Sequence, residues 1–200
     1  MVATALEKGA DVNAMDTTGI APLHIAIQNE NEEMVELLLA NGANPNMPTG
    51  KDNLFGQRPI SQAITTNNPA IIEKLLNAGA KTGAQGDENS AMIIAATLGH
   101  PEALSALIAF GVPVNESDSK GLTPAHRAST SGSMESIEVL WRAGADFEAR
   151  NLEGLTPLEF AACGGHIGAV RKLIELGADT NKPDRDSPSP NPLYSEQKVI

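Results

Sequence analysis

Apolar residues recur along this chain in paired segments whose spacing is that of an α-helix. The longer segment of a pair carries an apolar stripe at three- to four-residue steps, as Ala169, Val170, Leu173 and Ile174 do. A shorter segment precedes it, such as 157–163, and contains two adjacent alanines that permit close approach of a neighbouring element. The pattern predicts pairs of short helices packed layer on layer.

The predicted helices have start and stop signals. Pro22, Pro59, Pro124 and Pro157 stand where the first helix of a pair begins, a position at which proline is tolerated. Threonine before the last two of these prolines can cap the first turn. A Gly-His or polar pair breaks the first helix, and a later Gly-Ala pair ends the second.

These signals repeat with a nearly constant period. Gly-Ala recurs at residues 9, 42, 79, 144 and 177, and Gly111-Val112 fills the remaining slot, so the steps are 33, 37, 32, 33 and 33 residues. A second motif follows each pair and reads Thr-Pro-Ala-His at 123–126 and Thr-Pro-Leu-Glu at 156–159. It is degenerate at 90–93, so this unit is expected to be the weakest. Two motifs in one register indicate an array of repeats.

The period and this second motif resemble the ankyrin repeat, whose own motif is Thr-Pro-Leu-His-x-Ala, over nearly the whole chain. The resemblance implies an all-α solenoid of stacked antiparallel helix pairs, with projecting β-hairpin-like loops along one edge. We expect an ankyrin-repeat domain over 1–181, divided into a half repeat at 1–15 and repeats at about 16–47, 48–84, 85–117, 118–150 and 151–181.

Both ends depart from the pattern. Residues 1–8 match only the second helix of a unit, so either Met1 lies inside a longer array or an unusual partner covers this end. Residues 182–200 are rich in proline and serine, and we expect a disordered tail there. The alternative is that 191–194 begin a further, truncated repeat.

One loop is longer than the others. The step from Gly42 to Gly56 is 14 residues, against 10 from Gly9 to Gly19, and the extra length carries Met47, Leu54 and Phe55. Insertions in repeat arrays map to loops, often on the binding face. We expect these residues to contact a partner, the alternative being that Leu54 and Phe55 fold back on the adjacent unit.

Composition excludes several classes of function. The net charge is −11 and the pI is about 4.7, which disfavours binding to nucleic acid or to an anionic membrane. Cys163 is the single cysteine, so neither an intrachain disulfide nor a multi-thiolate zinc site can form. No signal peptide or apolar span is visible, and we expect a cytoplasmic monomer without cofactor or metal.

The residues capable of chemistry stand at repeat positions. The resemblance implies that His24, His100, His126 and His166 bridge loops and neighbouring units by hydrogen bonds. A nucleophile at Cys163 would need His166 as its base, yet His166 belongs to an ordinary Gly-His break. Trp141 and Phe160 are expected in the core and Phe147 half buried, and catalysis is not expected.

The resemblance implies binding of a partner protein through the concave groove and the loop tips. The alternative is a targeting or scaffold segment of a larger protein whose activity lies in another domain. Candidate contact residues follow the alanine pairs or flank the loop glycines: Ile20, Gln28, Asn29, Met47, Leu54, Phe55, Thr65, Thr66, Leu98, Lys120, Leu122, Leu152 and Leu155.

Overall fold

The structure, a computed structural model, describes residues 9–50, 57–83 and 90–180. These residues form ten α-helices in five pairs, and only two or three residues join the helices of a pair. The first, inner helices are α1 Pro22–Gln28, α3 Pro59–Thr65, α5 Ala91–Leu98, α7 Pro124–Ser131 and α9 Pro157–Cys163. The second, outer helices are α2 Glu32–Ala40, α4 Pro69–Asn77, α6 Pro101–Ala109, α8 Met134–Arg142 and α10 Ile167–Glu175.

The helices begin where the sequence predicts. Proline is the first residue of α1, α3, α7 and α9. At α9 the Thr156 hydroxyl accepts from the Glu159 backbone N–H at 3.4 Å, while Glu159 Oε2 accepts from the Thr156 N–H at 2.7 Å. This reciprocal pair is a capping box, which satisfies two N–H groups that have no partner inside the helix.

The break between inner and outer helix is a single left-handed residue at the same repeat position in every pair. In the last three pairs it is the predicted glycine, and in the first two it is a residue with a Cβ: Glu30 (φ 50°), Asn67 (φ 52°), Gly99 (φ 68°), Gly132 (φ 73°) and Gly165 (φ 70°). Left-handed backbone is costly for residues other than glycine. The first two turns are therefore more strained than the last three.

The five pairs stack into two layers. Each inner helix contacts its own outer helix and the next inner helix, and each outer helix likewise contacts the next outer helix. This confirms the all-α ankyrin-type solenoid expected from the sequence. Outer helices bury one leucine per pair at an equivalent position, each no more than 1% exposed: Leu38, Leu75, Leu107, Leu140 and Leu173.

Alanine lets the inner helices approach closely. Ala63, Ala95, Ala128 and Ala161 are all fully buried. Small side chains at these contacts bring the helix axes together, which leaves little room for aromatic rings in the inner layer. The low aromatic content of 3% follows from this packing.

Trp141 does not pack in the core, contrary to the expectation from its place in the outer-helix stripe. Its side chain is 46% exposed, because the buried position of α8 is taken by the preceding Leu140. Phe160 is only partly buried and meets His126 edge to face, with ring centroids 5.4 Å apart. Phe147 is more buried than expected, at 8% exposure.

Several sequence predictions lie outside the described residues. They concern Leu54 and Phe55 of the long loop, the first eight residues of the half repeat and the tail at 182–200. The boundaries proposed for the individual repeats stay predictions.

A ladder of side-chain bonds joins the loops that follow the outer helices. Asn115 Nδ2 donates to the Gly144 carbonyl at 3.3 Å, and its Oδ1 accepts from the Asp146 N–H at 2.8 Å. The equivalent Asn13 and Asn46 make the same two bonds to the next loop in their own pairs. Each asparagine stands four residues after the glycine that ends an outer helix, a Gly-x-x-x-Asn pattern visible in the sequence.

The ladder changes at two junctions. After α4 the asparagine position is Gly83, which has no side chain, and the position whose N–H would donate to an asparagine there is Pro113, which has no N–H. After α8 the position is Glu148, whose Oε1 accepts from the Asp179 N–H at 3.0 Å. A carboxylate cannot donate to the Gly177 carbonyl as the asparagines do at equivalent glycines.

Candidate functional site

The inner helices share one face whose residues are exposed or partly buried. Its residues are the fourth and seventh of each inner helix, three positions apart and hence on the same side. We call this surface the groove face: Ile25, Gln62, Ile94, Arg127 and Phe160 in one row, and Gln28, Thr65, Thr97, Thr130 and Cys163 in the other. All five residues of the second row are exposed.

The groove residues predicted from sequence lie on or beside this face. Gln28, Asn29 and Thr65 are exposed, Thr66 is partly buried and Leu98 is 43% exposed. Sequence analysis missed the row of fourth residues, which includes Ile25 at 47% exposure. The signal that could have identified Ile25 is its position three residues before the predicted Gln28, which places the two residues on the same side of α1.

Groove hydroxyls are bonded to their own helices. Thr97 Oγ1 donates to the Ile93 carbonyl at 2.8 Å, and Thr130 Oγ1 donates to the His126 carbonyl at 2.9 Å. The Thr65 hydroxyl likewise donates to the carbonyl of Ser61, four residues earlier, at 3.0 Å. The threonine rotamers are thereby fixed.

Projecting turns, which we call fingers, precede the first, fourth and fifth helix pairs. In each of them a side-chain oxygen accepts the backbone N–H groups two and four residues later; these residues are Asp16, Asp118 and Asn151. Adjacent fingers are also joined, since the Leu152 N–H donates to the Lys120 carbonyl at 3.0 Å. The tips are therefore held in fixed positions.

The structure separates the predicted tip residues by exposure. Leu152 is 79% exposed and Lys120 is exposed, whereas Ile20 and Leu155 are partly buried. Leu122 is only 7% exposed, so its prediction as a contact residue is wrong. The turn at Asp118 bonds the Leu122 N–H at 2.9 Å and directs that side chain inward.

Met47, on the long loop, is partly buried. Its carbonyl accepts from His24 Nε2 at 2.9 Å, which ties the loop to α1. Met47, which is predicted to contact a partner, therefore lies on a backbone that is hydrogen-bonded to α1.

A buried ion pair fixes the finger that precedes the fourth helix pair. Asp118 Oδ2 lies 2.7 Å from Arg127 Nη2, and the Asp118 carboxylate is fully buried. Burial raises the pKa of Asp118, but hydrogen bonds from the Leu122 N–H and the Arg127 guanidinium outweigh it, so the pKa lies below its ordinary value. Arg127 is thus held at the groove face by the finger beside it.

All four histidines bridge neighbouring elements, as the resemblance implied. His126 Nε2 donates to the Leu155 carbonyl at 3.0 Å, so its Nδ1 is free to accept the Thr123 N–H at 3.1 Å. Burial lowers the pKa of His126. His100 and His166 reach the carbonyls of Ile64 and Thr130 in the preceding pair.

Cys163 is exposed at the end of α9. Its nearest histidine in sequence, His166, donates Nε2–H to the Thr130 carbonyl at 2.8 Å. Its ring also lies against Gly132, where an added Cβ would stand 2.6 Å from Nδ1. His166 is thus positioned as a bridge between pairs.

Within residues 9–50, 57–83 and 90–180, no three His, Cys, Asp or Glu side chains are grouped as a metal site would require. Among the helices of these ranges, none has the length and apolar character needed to cross a membrane.

Comparison with known sequences gives a family match across the fold just described. A family model for ankyrin repeats matches three overlapping stretches, residues 1–86, 60–151 and 92–184. Together these stretches cover all five helix pairs.

Several curated proteins are similar over part of their length. Human transient receptor potential cation channel subfamily A member 1 is 32% identical over 120 residues, which are 59% of this chain and 10% of that protein. Mouse Rabankyrin-5 is 29% identical over 127 residues, or 62% of this chain and 11% of the relative. Mouse NF-kappa-B inhibitor delta is 38% identical over 76 residues, 36% of this chain and 23% of the relative. The matched segment is thus about a tenth of the first two proteins.

Proposed function

Because the chain belongs to the ankyrin-repeat family, we propose that it is a non-catalytic module that binds a partner protein through the groove face and the finger tips. Ankyrin repeats are generally protein-interaction modules, and solenoids of this kind bind along their extended concave surfaces. One relative, NF-kappa-B inhibitor delta, is named for its action on another protein.

The observation that carries the proposal is exposed apolar surface on the inner helices and on a finger whose turn is held by side-chain hydrogen bonds. Ile25 is 47% exposed and Leu98 is 43% exposed on the inner helices, and Leu152 is 79% exposed at a finger tip. Around them stand hydroxyl and amide side chains. Apolar anchors within a polar surround are typical of protein-binding surfaces. Leu54 and Phe55 of the long loop remain proposed anchors.

Capture from a lysate of the source cell tests this proposal. We would compare the wild type with I25S/L98S on the groove face and with L54S/F55S on the long loop. Phe110→Ser is a matched control, because Phe110 is 45% exposed at the end of an outer helix, away from the groove. Recovery of a partner should fall at least about tenfold in one double variant and stay within about twofold in the control. Equal recovery by all four proteins, or capture of nothing by the wild type, would contradict the proposal.

A second candidate is a targeting or scaffold segment of a larger protein. It is supported by the relatives, in which the similar segment is a tenth to a quarter of the whole. The full-length transcript tests it. An adjoining catalytic or channel domain would support this candidate, and a transcript that encodes these 200 residues alone would contradict it.

A thiol enzyme is the weaker alternative, because His166 is engaged as a bridge between pairs. The rate at which the Cys163 thiol is alkylated distinguishes a thiol enzyme from a non-catalytic binding module. A rate equal to that of a small free thiol supports binding without catalysis, and a strongly accelerated rate that depends on His166 would support the enzyme.

A further inference from the structure

The groove face and the outer helices differ in charge. Each outer helix contains at least one glutamate, and all of these side chains are exposed or partly buried: Glu32, Glu33, Glu36, Glu73, Glu102, Glu135, Glu138 and Glu175. Among the inner helices that the structure describes, the only carboxylate is that of Glu159, which caps α9. No residue of the groove face is acidic. The carboxylates of the helices therefore lie away from the groove face.

Arg127 is the single charged residue of the groove face, and the chain itself supplies its counter-charge. Asp118 Oδ2 lies 2.7 Å from Arg127 Nη2, and the Asp118 carboxylate is fully buried. The other carboxylate oxygen accepts from the Lys120 and Leu122 N–H groups at 2.8 and 2.9 Å. Because this pair is neutral as a whole, the groove face offers no unbalanced charge to a ligand.

Neutral groups make up the rest of the surface on and beside the groove face. Ile25 is 47% exposed and Leu98 is 43% exposed, so both present apolar surface. Gln28 and Asn29 are exposed, and their carboxamides can both donate and accept hydrogen bonds. These groups complement aliphatic side chains and uncharged polar groups.

We propose that the groove face selects an uncharged segment of the partner protein, composed of aliphatic residues and of polar residues such as Asn, Gln, Ser and Thr; this inference rests on the proposed protein-binding function. A charged side chain covered by the groove would lose its water and meet no opposite charge, which costs free energy for either sign. The groove thus discriminates against charged segments by leaving their charges unpaired.

The net charge of the chain leads to a different expectation. A protein with a net charge of −11 attracts basic partners and repels acidic ones. On the helices, however, that charge is carried by the outer layer, whereas a segment in the groove contacts neutral groups. The two arguments predict different compositions for the bound segment, and this difference can be measured.

Selection from a random peptide library measures that composition. Peptides of about twelve residues extend over about 40 Å, which is the width of five helices packed about 8–10 Å apart. Peptides that bind the full chain would be counter-selected on I25S/L98S, so that those retained depend on the groove. They should contain Asp, Glu, Lys and Arg at less than about half the frequency of the unselected library, and added salt should change their affinity by less than about twofold.

Two variants of opposite charge at one groove position test the sign of the effect. Thr97 is exposed on the groove face, next to Leu98. Thr97→Gln adds length without charge and is the reference. Both Thr97→Glu and Thr97→Lys should bind the retained peptides at least about fivefold more weakly than Thr97→Gln, because either charge would be covered without a counter-charge.

Ser105 provides a matched control on the outer helix of the same pair. It is exposed, and its hydroxyl donates to the Pro101 carbonyl at 2.8 Å, as the Thr97 hydroxyl does to the Ile93 carbonyl. Ser105→Glu and Ser105→Lys should each change the affinity for the retained peptides by less than about twofold, because this position lies away from the groove.

Several results would overturn the proposal: retained peptides as charged as the library, opposite effects of T97E and T97K, no effect of either, or equal losses in the Ser105 variants. A library that yields no groove-dependent peptide would also overturn it. These failures differ from a failure of the proposed function. Retained peptides that are charged would leave the groove a protein-binding surface with another class of partner, and partner capture that depends on Ile25 and Leu98 is measured without any peptide.

Discussion

Replacing His126 with alanine tests how much one buried bridge contributes to the array. The imidazole is fully buried, donates to the Leu155 carbonyl of the next pair and accepts from the Thr123 N–H. The lost hydrogen bond across the pairs is worth about 0.5–1.5 kcal/mol. The edge-to-face contact with Phe160 adds about 0.5–1.5 kcal/mol. The void and the unpaired polar groups add about 1–3 kcal/mol, so H126A should lower the free energy of unfolding by about 2–6 kcal/mol.

Urea unfolding, followed by circular dichroism and by Trp141 fluorescence, measures this loss. His166→Ala is the control, because His166 makes the bond to Thr130 but is more exposed, and its removal should lower the free energy of unfolding by about 1 kcal/mol. If H126A and H166A lost equal amounts, the buried bridge would contribute no more than an exposed one, and our reasoning would be refuted.

The same variant changes the response of stability to pH. Burial lowers the pKa of His126 below the ordinary value of 6.5, so as pH falls the unfolded chain takes up the proton before the folded chain does. The stabilisation from the neutral imidazole is therefore present above pH 6.5 and is lost as pH falls from there towards the folded pKa. The pKa of His24 is lowered for the same reason. Between about pH 7.5 and pH 5.5 the wild type should lose more stability than H126A, and equal losses would contradict this account.

Three further predictions concern the fingers, the turns and the ladder. Asp118→Ala removes the finger turn and leaves Arg127 without its buried partner, so it should lower the free energy of unfolding by about 2–4 kcal/mol; a loss below about 0.5 kcal/mol in thermal or urea unfolding would contradict it. Gly132→Ala should lower the free energy of unfolding by about 2 kcal/mol or more, because φ at this residue is +73° and the new Cβ would stand 2.6 Å from the His166 ring. Glu30→Gly, at the same repeat position, should raise the free energy of unfolding by about 0.5–1 kcal/mol, and effects of the same sign in the two variants would refute the strain argument. Hydrogen exchange should be at least about tenfold faster in the loop 111–115 than in the loop 144–148, because no ladder bond reaches the first loop from the loop before it, where Gly83 has no side chain and Pro113 has no N–H to donate; equal protection of the two loops would show that the ladder does not set local stability.

The fold was predictable because local signals coincide with the period. Proline at 157, the alanine pair and the glycine after Cys163 mark a helix that the structure places at Pro157–Cys163. The degenerate unit lacks the proline and the histidine of the motif, yet Ser90 accepts from the Ile93 N–H at 3.4 Å and caps α5. Residues such as Ala95 and Leu104 in this unit are fully buried. Its helices therefore form without the motif.

The candidate site was predictable only in part. Helical periodicity identified the end of each inner helix, and Gln28 and Thr65 are exposed there. Periodicity did not identify Ile25, because the sequence of a short apolar helix does not show which of its isoleucines faces the core and which faces the groove. That depends on how the next helix pair packs against it. Leu122 and Leu152 share a finger motif but differ in exposure from 7% to 79%, because side-chain direction depends on the position within the turn. For the same reason, the sequence did not show that the side chain of Trp141, on an outer helix, is exposed.

The threonines of the groove face have a consequence for the free energy of dehydration. Thr65, Thr97 and Thr130 have already spent their hydroxyl hydrogens on carbonyls of their own helices. A ligand that covers them breaks fewer bonds to water than it would over free hydroxyls, and it meets methyl groups and oxygen lone pairs. The groove therefore behaves as a less polar surface than its composition indicates, and it suits ligands that bring hydrogen-bond donors and aliphatic surface together.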